Sequence, residues 1–325
     1  MADLDDELRS ANPLTIRRSS PLSPRAEREL AELLAAPVEP AVASRRWTFP
    51  AIGFAAAASI AVIAAVVFAV TNIGQPGPAS AAAPPILETT PLGDDLDDVL
   101  AQLADRARAQ PIPSTSTQTI RMEAWSAQIE ADAPTSSYYV QPEEIEKSWA
   151  PDRSGSWKSW AGEIRYGQPA PGEQPLEPGT ILRDDHYEPG QFTLFYRDAP
   201  PDDAVELEAY LRTAGGLGNE PEAADFFAAI EGMRYERTLT GPQTAAALDL
   251  LAGLPDVTLA GTVTDRLGRE GIVIQTERAS GTHRILLIFS PETGLLLSCE
   301  SIYLGGIPDF ALEFPTVINY YAWKD

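Results

Sequence analysis

The side chains that could do chemistry are few and scattered. Asp184, Asp185 and His186 stand together and have the look of a fragment of a metal or acid/base site, but no second cluster in the sequence completes it. There are two histidines, His186 and His283, and one cysteine, Cys299. A His/Cys zinc site would have to be assembled from distant singletons, and an intramolecular disulfide is impossible. Asp94, Asp95, Asp97 and Asp98 crowd the start of a helical segment, where the helix dipole alone favours carboxylates, and the calcium-loop pattern is absent. The GxSxG, P-loop, GxGxxG, HExxH and CxxC patterns are missing as well. The expectation is therefore no catalytic residue, no metal site and no cofactor, and a protein that is not an enzyme.

The elements that would position these residues read as one α+β domain over 92–325. Apolar residues at helical spacing predict a helix over 92–109, from Leu92 to Ala107. Strand character follows at 117–131, 137–148 and 155–165, where Trp125, Tyr138, Tyr139, Trp149, Trp157 and Trp160 are expected in the core or in cross-strand pairs. The Pro/Gly-rich stretch 167–190 predicts a long loop with neither strand nor helix. Three short helices are expected at 201–213, 221–233 and 242–252, each with Pro in or near its first turn. The chain closes with strands at 257–264, 271–277, 283–289, 295–303 and 316–323, joined mostly by short Gly-containing turns, as in an antiparallel meander. Cys299 falls inside the fourth of these strands and reads as a packed small residue.

Ahead of the domain, Phe49 to Val70 is 22 residues without a charge, enough helix to cross a hydrocarbon core of roughly 30 Å. We assign 47–73 as a transmembrane helix, with Arg45, Arg46, Trp47, Phe49 and Phe68 as membrane-anchoring residues. Arginines lie before the run and no charge follows until Glu88, so the positive-inside rule puts the N-terminus in the cytoplasm and the large domain outside. Ala79-Ser80-Ala81 resembles a signal-peptidase site, but the preceding tail and the apolar run are both too long for a signal peptide, which favours an uncleaved anchor. Residues 1–46 form a cytoplasmic tail with one short amphipathic helix, whose Leu30, Leu33 and Leu34 could offer an apolar stripe to a partner groove or lie near the bilayer. Residues 74–91 are an Ala/Pro-rich linker.

Charge is distributed unevenly. The 325 residues carry a net −23, of which the first 46 contribute −1 (7 Arg against 8 Asp/Glu), leaving −22 beyond the tail. So acidic a domain is not suited to nucleic acid or to anionic lipid headgroups, whose recognition rests on Lys and Arg.

The stretch 254–298, with its pattern Gly261-x-Val263-Thr264-Asp265-x-x-Gly268-Arg269 and Phe289-x-Pro291-x-Thr293-Gly294-x-Leu296-Leu297, resembles an uncharacterised family of actinobacterial single-pass membrane proteins. The tail segment DDELRSANP fits the same family. That resemblance implies a neighbourhood beside extracytoplasmic-function-type sigma factors and an envelope-linked regulatory or sensing role, although the tail lacks the His-x3-Cys-x2-Cys cluster of a zinc anti-sigma domain. The repeated meander with interspersed helices also resembles LolA/RseB half-barrels, a likeness of fold alone. The expected architecture is a curved, half-barrel-like antiparallel sheet packed with helices. Its partners would be the membrane, a cytoplasmic protein such as a sigma factor, and a lipid or other envelope ligand. The alternative is a tethered lipid- or ligand-carrying module, which calls for an apolar concavity lined by residues such as Trp125 or Trp157.

Overall fold

The computed structural model describes residues 83–112, 116–127, 139–169, 174–305 and 314–324. The tail with Leu30, Leu33 and Leu34, and the run 47–73 with Arg45, Arg46, Trp47, Phe49 and Phe68, lie outside them. Among the described residues no helix is long and apolar enough to cross a membrane.

Four helices occur among these residues: α1 (Leu96–Arg108), α2 (Ala204–Ala214), α3 (Ala223–Glu236) and α4 (Gly241–Ala252). The strands are β1 (Gln118–Ser126), β2 (Tyr139–Val140), β3 (Glu143–Trp149), β4 (Gly155–Ala161), β5 (Tyr166–Gly167) and β6 (Ile181–Tyr187), then β7 (Val257–Thr264), β8 (Glu270–Glu277), β9 (His283–Phe289), β10 (Leu296–Tyr303) and β11 (Thr316–Trp323). Nine of them form one sheet in the order β6-β4-β3-β1-β11-β10-β9-β8-β7, and β2 pairs with β5. Every pairing is antiparallel. The sheet is open, with β6 and β7 at its two edges, and is not a closed barrel.

The order explains how one chain builds it. From β1 the strands step outward through β3 and β4 to β6. Then α2, α3 and α4 carry the chain to the other edge, and β7 to β11 step back until β11 lies against β1. The helices start where local chemistry favours them. Asp95 caps α1 by accepting from Asp97 N at 3.0 Å, and Asp97 and Asp98 fill its first turn, so the acidic run that opens the domain is a helix start. Thr240 and Gln243 make a capping box at α4, with Pro242 in its first turn.

Helices and sheet share one core. Leu100, Leu103, Phe226, Phe227, Leu248 and Leu251 meet Met122, Ile274, Leu287, Phe289 and Trp323 there. On the opposite, outer face the C-terminal strands carry a second apolar layer, Val263, Val273, Leu286, Ile288, Ile302 and Val317.

One expectation needs correction. The stretch 167–190 is not a loop throughout: Tyr166–Gly167 is a short strand, and Ile181–Tyr187 is the edge strand β6. Its prolines and glycines flank the eight residues TILRDDHY, which contain none. Four consecutive polar side chains, Arg183 to His186, hide a strand that needs to bury little, because it has a neighbour on one side only. The end of the expected linker also packs on the sheet: Leu87 joins the outer layer, and Thr90 bridges to Thr262 through two backbone bonds of 2.9 Å.

That bridge requires Gly261. Its φ of +124° is one that side chains rarely adopt, and a Cβ there would sit 2.1 Å from Thr90 O. Gly261→Ala is expected to free the 85–91 strap and to lower stability by about 1–3 kcal/mol, read from urea unfolding of the full chain.

Candidate functional site

Strand alternation separates the residues that looked most like a site. In the β4–β6 register Lys158 faces Asp184 and Trp157 faces Asp185, so neighbouring carboxylates of the Asp-Asp-His run leave the sheet on opposite sides. Asp184 and His186 take the outer face, where Asp184 lies 3.4 Å from Lys158 Nζ and 3.5 Å from His186 Nε2. Asp185 takes the helix face, where Arg183 Nε donates to it at 2.6 Å and the Tyr187 hydroxyl at 3.2 Å. Arg183 in turn donates to the Tyr187 hydroxyl at 2.7 Å and stacks on Trp157, 3.8 Å from its ring centroid. The three residues do not converge on a common point.

Behind Arg183 the helix face of this wing holds a buried amine. Lys147 Nζ lies 3.0 Å from the ring centroid of Tyr235 and 4.1 Å from that of Trp157, and donates to Tyr235 O at 3.2 Å. Burial holds it well below the ordinary lysine range. Glu236 accepts from Phe195 N and Tyr196 N at 2.9 and 3.0 Å, while Arg237 donates to Tyr196 O at 2.6 Å and to Arg197 O. Trp149 Nε1 donates to Glu236 O at 3.0 Å. These bonds fasten the end of α3 to the loop 192–198 and to β3. Charged groups that bond mostly to backbone are committed to architecture.

Trp157 is buried beneath Lys147, Arg183 and Tyr235, and Trp125 is half-buried on the outer face, stacked 6.3 Å from Tyr320. Of the aromatics singled out in the sequence, Trp149 and Trp157 are buried and Trp125 makes a cross-strand stack, whereas Trp160 lines a surface hollow and Tyr138 lies outside the described residues. At the outer rim of the β6 edge lies a shallow hollow of about 330 Å³, lined by Lys158, Trp160, Gly179, Ile181 and Asp184 among others.

A second polar cluster, on the outer face, escaped the sequence reading. Arg266 grips the Glu300 carboxylate with two bonds of 2.6 and 2.8 Å, and also reaches Tyr166 Oη at 3.2 Å and Pro85 O at 2.8 Å. Burial raises the Glu300 carboxyl above its usual range, with Arg266 opposing. Glu123, buried next to it, accepts from Tyr320 Oη at 2.7 Å and from Arg165 at 2.5 Å. The available signal was an isolated acid inside each of two strand patterns, MEAW and SCES.

The family-like pattern of 261–297 also turns out to build corners. Asp265 accepts from Leu267 N and Arg269 N at 2.9 Å each and pairs with Arg269, which also donates to Trp323 O and Leu297 O at 2.5 and 2.9 Å. At Gly294 (φ +70°) a Cβ would sit 2.1 Å from Leu103 O, so the β9–β10 turn lies directly on the α1 backbone. The motif positions the meander and presents no reactive group.

No family model matches the chain, and no curated protein matches it either. Among solved structures it is similar to one of the Pseudomonas aeruginosa MucA/MucB complex, with 14% identity over 71% of this chain and a TM-score of 0.24. The match takes in 56% of that chain, and the present chain thus spans little more than half its length. A TM-score of this size carries no argument about fold or function.

Cys299 is fully buried in the helix–sheet interface, as its strand position implied. Burial pushes its thiol well up, and the nearby Glu231 carboxylate of α3 pushes it the same way. Burial raises the Glu231 carboxyl from an ordinary 4.5 to about 7. The folded chain therefore keeps a proton that the unfolded chain releases near 4.5, and the stability contributed by this group falls as pH rises from 4.5 to about 7, then levels. Glu231→Gln should reduce that fall, measured as urea midpoints across the window.

Proposed function

We propose that the protein is a membrane-anchored envelope regulator or sensor, with residues 1–46 cytoplasmic and the α+β domain extracytoplasmic, its open sheet curving as a half-barrel around the helices. The domain binds an envelope partner or ligand, and the tail engages a cytoplasmic protein, such as a sigma factor, through Leu30, Leu33 and Leu34.

One observation supports a binding role over chemistry: the domain's buried charges, Lys147, Glu236, Arg266 and Glu300, bond to backbone or to one another, and the Asp184–His186 run is divided between two faces. The anchor, the tail and the charge asymmetry support the topology. The lipid-carrier alternative is less favoured, because Trp157, which would line its cavity, is covered by Lys147, Arg183 and Tyr235.

Protease added outside intact spheroplasts should degrade the domain and leave a protected fragment containing residues 1–46. Full-length protein should co-purify a cytoplasmic partner, and the triple change Leu30→Ser, Leu33→Ser, Leu34→Ser should lose it. A domain protected inside the cell, or a wild-type tail that retains nothing, would overturn the reading.

A further inference from the structure

The two edges of the sheet are treated differently. At β7 the strap residue Thr90 supplies both backbone bonds to Thr262. At β6 the backbone pairs with β4 on its inner side, and among the described residues no backbone bond reaches its outer side. The bare edge is also apolar at its start: Ile181 is 69% exposed and Leu182 42%, with Leu176 exposed just before them. An exposed edge with large apolar side chains is what folded proteins ordinarily avoid, since it templates pairing with another strand.

We infer that the outer edge of β6 is a docking site for an extended, basic segment of another envelope protein, which adds to the sheet as a tenth strand. Backbone bonds to β6 supply the affinity. An apolar side chain of the segment enters the hollow between Trp160 and Ile181, whose own charged lining is Lys158, Arg183 and Asp184, and its basic side chains meet the net-negative domain around it. Residues 174–203, which carry the strand, hold seven acidic residues against two arginines, net −5, within a domain region of net −22. That field steers a cationic strand toward the edge and repels a second copy of this chain. The inference rests on the binding role proposed above and names its surface.

The test uses the full chain in nanodiscs and a fluorescent peptide of alternating lysine and valine. Controls are a glutamate/valine peptide and a lysine/valine peptide with every backbone nitrogen methylated, which cannot donate to a ladder. The lysine/valine peptide should bind, weaken with salt, and lose roughly tenfold or more in affinity on Ile181→Lys/Asp184→Lys, while both controls fail. Both side chains are exposed, and an unchanged circular dichroism spectrum would show that the variant folds. Absent binding, binding indifferent to the double change, equal binding of the glutamate peptide, or a wild-type dimer that the double change dissolves would each overturn the proposal. If only the peptide fails while the tail still captures its partner, the regulatory reading stands and this surface alone falls.

Discussion

The structure depends on the pairing of its first and last long strands. β1 and β11 meet in register from Met122↔Trp323 to Ser126↔Asn319, roughly two hundred residues apart in the chain. Without that seam there would be two separate meanders, each with an extra edge. Side chains fasten it on both faces: Met122, Tyr321 and Trp323 lie in the core below, and Glu123 accepts from Tyr320 while Trp125 stacks on Tyr320 above. Closing so long a loop costs entropy before any contact rewards it, so the seam is expected to form late, after the local hairpins of β7 to β10.

The seam also explains where the buried charges are. Glu123 and Glu300 sit on the outer face of β1 and β10, the two strands that flank β11. An unpaired carboxylate there would cost several kcal/mol, and each is answered by an arginine from an adjoining segment, Arg165 or Arg266. Arg266 also bonds to Tyr166 and Pro85 O, so a single guanidinium holds together a β-turn, the small two-stranded β2–β5 sheet and the strap that leads into the domain.

Much of this was legible in the residues. The meander from Val257 onward and the helices behind Pro201, Pro221 and Pro242 appear within a few residues of where periodicity and turn chemistry put them. Local signals sufficed because turns, caps and alternation are set by near neighbours. β6 was not legible, because an edge strand buries too little to leave an apolar pattern. The strand order was not legible either, since nothing in MEAW or NYYAW says that these two segments pair. Nor could the Asp-Asp-His run be judged from spacing alone, because its meaning changed once a period of two sent alternate side chains to opposite faces.

The same constraint governs what the domain can offer. The C-terminal half of the sheet is covered twice, by helices on one face and by the strap with its apolar layer on the other, and its outermost strand β7 is bridged by Thr90. Among the described residues the outer face of β3, β4 and β6 has no such apolar layer. It carries solvated pairs, Arg121 with Glu146, Lys324 with Glu144 and Lys158 with Asp184, which contribute little to stability. The motif is framework, because its residues fix turns against α1 and β11, whereas the β6 edge is left open among the described residues.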